Sequence, residues 1–132
     1  MQTREFMGRV QSKARLPGVD EAINATRATL KTLAERLGSD EARHLGAQLP
    51  AEIGKYLECA MPTGDRFNSD EFLKRVSERE GVDLPVSVYH ARAVLEALQD
   101  AVSAGQINDV LERLPDDYAR LFAGTGGRMP GV

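Results

Sequence analysis

Two similar stretches of sequence, half a chain length apart, constrain the fold of this chain more than any other feature. The first runs from residue 25 to 57 and the second from residue 91 to 122. An offset of 66 residues aligns Glu5, Phe6, Arg9 and Val10 with Glu71, Phe72, Arg75 and Val76. After a one-residue gap, an offset of 65 aligns Arg27, Ala28, Leu30, Leu33, Leu49 and Pro50 with Arg92, Ala93, Leu95, Leu98, Leu114 and Pro115. We interpret the two stretches as copies within an internal repeat.

Each half predicts the same order of helices: one helix, a break, a long helix and two shorter helices. Apolar residues spaced 3, 4, 3 and 4 apart indicate the long helix, because this spacing forms one stripe. The stripe consists of Ile23, Thr26, Leu30, Leu33 and Leu37 in the first half, and of Val88, Ala91, Leu95, Leu98 and Val102 in the second. Asn68 with Glu71 predicts a capping box at the start of the fifth helix.

Glycine and proline residues predict where the helices end. Gly38 and Gly105 are expected to end the two long helices, since glycine readily takes the conformation found after a helix C-terminus. Ser39 is placed to cap the helix that follows Gly38. Pro50 and Pro115 are expected to join the two short helices of each half, because proline disfavours helical geometry before it and suits a first turn.

The predicted fold is all-α, a helical bundle of two repeated modules of about four helices each, related by a pseudo-twofold axis. A module of about 55 residues buries too little surface to be stable alone, so the two should share one core. The prediction is therefore a single compact domain over residues 1–132. It comprises repeat one at 3–58, a linker at 59–68, repeat two at 69–122 and a flexible tail at 123–132.

Three short patterns resemble a bacterial family of unknown function. They are Phe6 followed by Arg9-Val10, the segment RATLKTL from Arg27 to Leu33, and the segment LGAQLP from Leu45 to Pro50. Through these patterns, residues 3–122 resemble the domain-of-unknown-function family 2267. The resemblance implies a tandem helical fold. It supplies no catalytic residues, since the family has no established activity.

Charge and cysteine content argue against several classes of protein. The net charge is −3: residues 1–60 hold nine basic and eight acidic side chains, and residues 61–132 hold eight and twelve. Neither half clusters the Lys and Arg that recruit a phosphate backbone. The single cysteine, Cys59, cannot form an internal disulfide. No signal peptide and no apolar run of roughly 20 residues is evident, so we expect a cytoplasmic protein without membrane contact.

Few residues could carry chemistry. His44, His90 and Cys59 are too few for a structural zinc site, which takes about four such ligands. We expect two surface histidines and an inert, partly buried cysteine. The neighbouring carboxylates do not converge as catalytic pairs do, because adjacent helical residues point in different directions. These pairs are Asp40/Glu41, Glu78/Glu80 and Asp116/Asp117. We predict no enzyme, no catalytic or metal-binding residue and no cofactor.

Arg27 and Arg92 are the most notable polar residues. They occupy aligned positions, and each directly follows a residue of the apolar stripe. One hypothesis is a structural ion pair with a carboxylate of a neighbouring helix, for which Glu5 and Glu71 are the candidates. The other is a pair of related sites that contact an anion or a partner.

The leading functional hypothesis is a non-enzymatic helical interaction or scaffold module that acts through protein–protein contact or self-association. One alternative is nucleic-acid binding by a helix-turn-helix-like pair, with phosphate contacts from the basic face of the first helix. The acidic second half disfavours that alternative. Another is a small ligand held between the repeats, in an apolar pocket rimmed by Arg27 and Arg92.

Overall fold

The fold is described from a computed structural model of the protein, over residues 1–58 and 66–123. Cys59, the centre of the predicted linker and the predicted tail from residue 124 lie outside the described residues. Within them the chain forms helices and no strand, which confirms the all-α class. The helices are α1 (Thr3–Lys13), α2 (Val19–Leu37), α3 (Ser39–Ala47), α4 (Ala51–Glu58), α5 (Ser69–Glu80), α6 (Leu84–Ala101), α7 (Ala104–Glu112) and α8 (Ala119–Phe122).

Helix α2 lies at the centre of the fold and contacts α1, α3, α4, α5 and α6. Its predicted stripe is buried except at Ile23, which is half-buried. The buried surface is wider than the stripe, because Ala22, Ala25, Ala28 and Thr29 are buried as well. Small side chains on several faces let neighbouring helices approach α2 from different directions.

The first helix of each half packs on the long helices of both halves. Helix α1 contacts α2 and α6, and α5 contacts α6 and α2. Phe6 of α1 and Phe72 of α5 are fully buried in this shared core. Ion pairs line its edges: Lys13 lies 2.9 Å from Glu96 of α6, and Arg79 of α5 lies 2.6 Å from Glu35 of α2. The two halves therefore bury one common core.

The predicted helix ends hold at Gly38 and are wrong at two other residues. Gly38 ends α2 with φ of 92°, a conformation that side-chain-bearing residues rarely adopt. Ser39 is the first residue of α3 and does not cap it, because Gly38 occupies the cap position. Gly105 lies inside α7, and α6 already ends at Ala101. The Ser103 hydroxyl caps α7 by accepting a hydrogen bond from the backbone N–H of Gln106. The start of α7 is therefore marked by Ser103 and not by Gly105.

The C-terminal segment departs from the predicted eighth helix. Residues 116–118 form a 3₁₀ turn after Pro115, and α8 is a single helical turn. The buried Tyr118 hydroxyl donates to the Phe67 carbonyl oxygen at 2.8 Å, and its ring meets Phe72 edge-on at 5.5 Å between centroids. Burial raises the pKa of Tyr118, which stays a neutral donor. Because of this anchor, Phe67 is buried although it lies within the predicted linker.

A polar network joins α3 to α7. Glu41 is only 5% exposed, and its carboxylate accepts from Gln106 and from Arg113, each at 2.7 Å. Gln48 donates to Gln106 at 3.3 Å. Every oxygen of the buried Glu41 carboxylate thus has a partner, as a buried charge requires.

Helices α3 and α4 approach each other closely at two glycines. Gly46 and Gly54 face each other, and a Cβ atom at residue 54 would lie 2.7 Å from the Gly46 carbonyl oxygen. Backbone cannot move aside as a flexible side chain can. The turn at Pro50 and this glycine contact together hold the two helices close.

We expect Gly54→Ala to lower the free energy of unfolding by about 1–3 kcal/mol, because the added methyl group forces the helices apart. Gly8→Ala is the matched control, since a Cβ there meets nothing within 4 Å. That exposed helical position should gain up to about 1 kcal/mol. Urea unfolding of both variants tests the contact, and equal effects would contradict it.

Candidate binding cavities

The hypothesis that Arg27 and Arg92 form ion pairs with Glu5 and Glu71 is not supported, because no such pair occurs among the described residues. Glu5 pairs with Arg9 of its own helix at 3.2 Å, and Glu71 pairs with Arg75 at 2.9 Å. Each carboxylate pairs with an arginine one turn further along its own helix, and not with Arg27 or Arg92 of a neighbouring helix. The two arginines at aligned positions have instead taken different environments.

Arg27 supports a contact between helices. The exposed guanidinium donates to the side-chain oxygen of Asn24 at 2.9 Å. The amide nitrogen of Asn24 in turn donates to the Glu80 carbonyl oxygen at 2.9 Å, at the last residue of α5. Carbonyl groups at a helix C-terminus lack partners within the helix, and Asn24 supplies one. Arg27 therefore orients a side chain that caps α5, which is a structural role.

Arg92 is partly buried and has two nitrogens without partners. Its Nε and Nη2 atoms are shielded from solvent, and neither forms a hydrogen bond among the described residues. These two atoms form one edge of the guanidinium plane, the fork that binds a carboxylate in a bidentate manner. A buried donor without a partner costs about 1–3 kcal/mol, and more when it carries charge. This edge is therefore an incompletely satisfied site.

Arg92 lines a cavity of about 180 Å³ between α5, α6 and the 3₁₀ turn. Its polar lining also includes Ser69, Asp70, Asp117 and Arg120. The apolar lining consists of Leu73, Val88 and Leu121. Two arginines and two aspartates give the lining no net charge. All lining residues of this cavity belong to the second half. It is therefore not the predicted pocket between the repeats, which both arginines were expected to rim.

Asp117 holds the wall of this cavity in place. Its Oδ2 atom accepts from the backbone nitrogen of Ser69 at 2.9 Å and from the Ser69 hydroxyl at 3.0 Å. The backbone hydrogen bond holds the pKa of Asp117 below its ordinary value, so the carboxylate stays ionised at neutral pH. Its other oxygen, Oδ1, is buried and has no partner. The sequence does not predict this contact between Asp117 and the first residue of α5.

A second cavity of about 350 Å³ lies among α1, α2 and α4. At an offset of 66, Thr3, Arg4 and Met7 of its lining align with Ser69, Asp70 and Leu73 of the Arg92 cavity. At an offset of 65, Ile23, Glu52 and Tyr56 align with Val88, Asp117 and Leu121. The two cavities therefore occupy aligned positions. Arg27, the counterpart of Arg92, is engaged with Asn24 instead.

His90 is buried, so the expectation of two surface histidines is wrong for this residue and holds only for His44. The Nδ1 atom of His90 contacts the carboxylate of Glu80, which is also buried. The aligned positions in the first half are Ala25 and Ala14, both buried as well. No group of three or more His, Cys, Asp or Glu residues within 1–58 and 66–123 could hold a metal ion. Isolated histidines give no sequence signal that would have revealed the pair.

Replacing either member of the pair by alanine should lower the free energy of unfolding by about 3–5 kcal/mol, because the remaining partner is buried alone. The double variant Glu80→Ala/His90→Ala restores the residues found at the aligned positions. It should be destabilised by about 1–3 kcal/mol less than the sum of the single variants. A double-mutant cycle in urea measures this coupling, and strict additivity would refute it.

Stability should also depend on pH through Glu80. Burial raises the pKa of this carboxyl above its ordinary value of 4.5, with His90 opposing the shift. The folded state thus holds the proton more tightly than the unfolded state, and stability falls as the pH rises past 4.5. Between about pH 3.5 and 5.5, below the titration of ordinary histidines, wild type should lose stability relative to Glu80→Gln. Parallel or opposite pH curves would contradict this assignment.

No helix within the described ranges has both the length and the apolar content to cross a membrane. A search of curated proteins gives no match. Residues 3–121 match the family described as "Uncharacterized conserved protein (DUF2267)", which covers nearly the whole chain and confirms the resemblance seen in the sequence. The chain belongs to this family.

Proposed function

We propose that this protein is a non-enzymatic helical module that binds another protein, with the Arg92 cavity as a point of contact. One observation carries the proposal: the Nε–Nη2 edge of Arg92 has no partner within the described residues, although the cavity beside it is lined by polar groups. Protein interfaces often use arginine to bind a carboxylate in this bidentate manner. A partner that brings a carboxylate would satisfy both nitrogens.

We further propose that the two halves are related by a pseudo-twofold axis. Pairs of contacts that exchange under the offsets of 66 and 65 support it. Lys13 lies 3.8 Å from Asp100, and the aligned residues of the other half, Arg79 and Glu35, lie 2.6 Å apart. In the polar network, the contact of Arg113 with Glu41 corresponds to that of Gln48 with Gln106. Such an arrangement would place the two cavities at positions related by the axis.

Nucleic-acid binding by the first helix is less well supported. Its basic face would need free charges to contact phosphate groups. Arg9 lies 3.1 Å from Asp100, and Lys13 lies 2.9 Å from Glu96. Two of the basic residues on this face are thus already paired with carboxylates of α6.

The variant Arg92→Met tests the proposed function, because it keeps an unbranched apolar side chain and removes the guanidinium group with all its donors. We expect the tagged full-length variant to capture at least about tenfold less partner than wild type. This is the factor expected for the loss of one charged contact. Quantitative mass spectrometry of pull-downs measures the capture, and light scattering over a range of concentrations detects self-association.

Arg27→Met is the matched control, since it changes the aligned arginine, whose hydrogen bond is internal to the fold. It should retain the captured partner. Thermal unfolding must show that both variants fold. Identical capture by wild type and Arg92→Met, together with a monomer at every concentration, would refute the proposed role of this cavity.

A further inference from the structure

We infer that the Arg92 cavity is specific for an α-carboxylate that carries a nitrogen donor on the adjacent carbon. This group occurs in a free amino acid and at the C-terminal residue of a polypeptide. The inference rests on the proposed binding function and names the chemistry that the cavity recognises. Two residues of the lining carry buried polar atoms without partners, and these atoms, the apolar wall and the volume all lead to this ligand class.

The carboxylate is matched by Arg92. Its Nε–H and Nη2–H groups are parallel donors on one edge, and a carboxylate offers two oxygens at the same spacing. Solvent does not reach either nitrogen in the present side-chain arrangement. Ligand entry therefore requires part of the lining to move aside, and the unpaired charge of Arg92 favours that rearrangement.

The nitrogen donor is matched by Asp117. Its Oδ2 atom is used by Ser69, and the buried Oδ1 atom remains without a partner. An ionised carboxylate oxygen accepts from an ammonium or an amide N–H group. Arg92 and Asp117, which line one cavity, thus carry two unused donors and one unused acceptor, and once the lining moves aside these atoms would complement a dipolar group.

The balance of charge disfavours a simple anion. Phosphate or sulfate would meet Arg92 and Arg120, but also Asp70 and Asp117 in the same lining. Like charges within a partly buried site repel each other strongly. A ligand with charges or dipoles of both signs avoids this repulsion, because each end faces an opposite group.

The size and the apolar wall define the rest of the ligand. A volume of about 180 Å³ lies below the roughly 300–1,000 Å³ of pockets for drug-sized molecules, so it suits one amino-acid residue. Leu73, Val88 and Leu121 supply apolar surface for a side chain. We therefore expect a preference for an aliphatic residue such as leucine.

The first-half cavity provides an internal comparison. It has Arg4 and Glu52 at the positions of Asp70 and Asp117, and Arg27 does not line it. Its lining arginine, Arg4, is exposed, and none of the buried polar atoms without a partner among the described residues belongs to this lining, so it should not bind the same group. We expect one ligand per chain.

Titration of the isotope-labelled full chain, followed by nuclear magnetic resonance, tests the inference. The probes are L-leucine, a glycyl-glycyl-leucine peptide, its C-terminal amide, 4-methylpentanoate and inorganic phosphate. Leucine, the peptide acid or both should shift the resonances of α5, α6 and Arg92 Nε–H. The peptide amide and 4-methylpentanoate should bind at least about tenfold more weakly, because each lacks one of the two recognised groups.

Two substitutions locate the binding. Arg92→Lys keeps the charge but not the fork, and should weaken the binding of leucine or the peptide about tenfold. Asp117→Asn keeps an oxygen that can accept from Ser69. It should weaken the binding of a ligand with a nitrogen donor more than it weakens the binding of 4-methylpentanoate. Binding of leucine alone assigns the free amino acid, and binding of the peptide acid assigns a chain terminus; either outcome supports the inference.

Several results would overturn the inference. They are the absence of binding by both leucine and the peptide acid, equal binding of 4-methylpentanoate, tighter binding of phosphate, and binding that survives Arg92→Lys unchanged. If these probes fail but Arg92→Met still abolishes partner capture, the ligand class is wrong and the proposed function stands. If both experiments fail, the cavity is not a binding site.

Discussion

The fold depends on burying the first helix of each half against the long helix of the other. Phe6 and Phe72 lose all exposure only because α1 also contacts α6 and α5 also contacts α2. Neither half has enough apolar surface to form such a core alone, as expected for units of about 55 residues. Lys13 and Arg79 then form ion pairs across the edges of these helix contacts.

The cavities are a consequence of this packing. The core uses the inner faces of α1, α2, α5 and α6, so the outer faces are covered only by short segments. Helix α4 covers one side, and the 3₁₀ turn with α8 covers the other. Segments this short cannot fill the groove between two longer helices. Asp117 attaches the 3₁₀ turn to the start of α5 by accepting two hydrogen bonds from Ser69. These hydrogen bonds stabilise the helix end and hold the cavity wall in place.

Much of the fold could be predicted from the sequence, because helical periodicity and glycine or proline signals are local. The stripe of α2 and the boundary at Gly38 are examples. The end of α6 could not be predicted, since Ser103 and Gly105 compete as signals and only the cap geometry decides. The different surroundings of Arg27 and Arg92 could not be predicted from the sequence either. A sequence does not show that Glu5 and Glu71 are already used within their own helices.

The two arginines at aligned positions have different surroundings, and this difference is the reason for assigning a structural role to Arg27 and proposing a binding role for Arg92. Arg27 and Asn24 complete a helix end, so their donors are satisfied. Arg92 has no such neighbour, because the residue aligned with Asn24 is Tyr89, just as Val88 aligns with Ile23. The loss of an internal partner leaves its guanidinium edge unsatisfied. A buried charge kept in that state lowers stability, and binding of an external carboxylate is the function that would compensate for it.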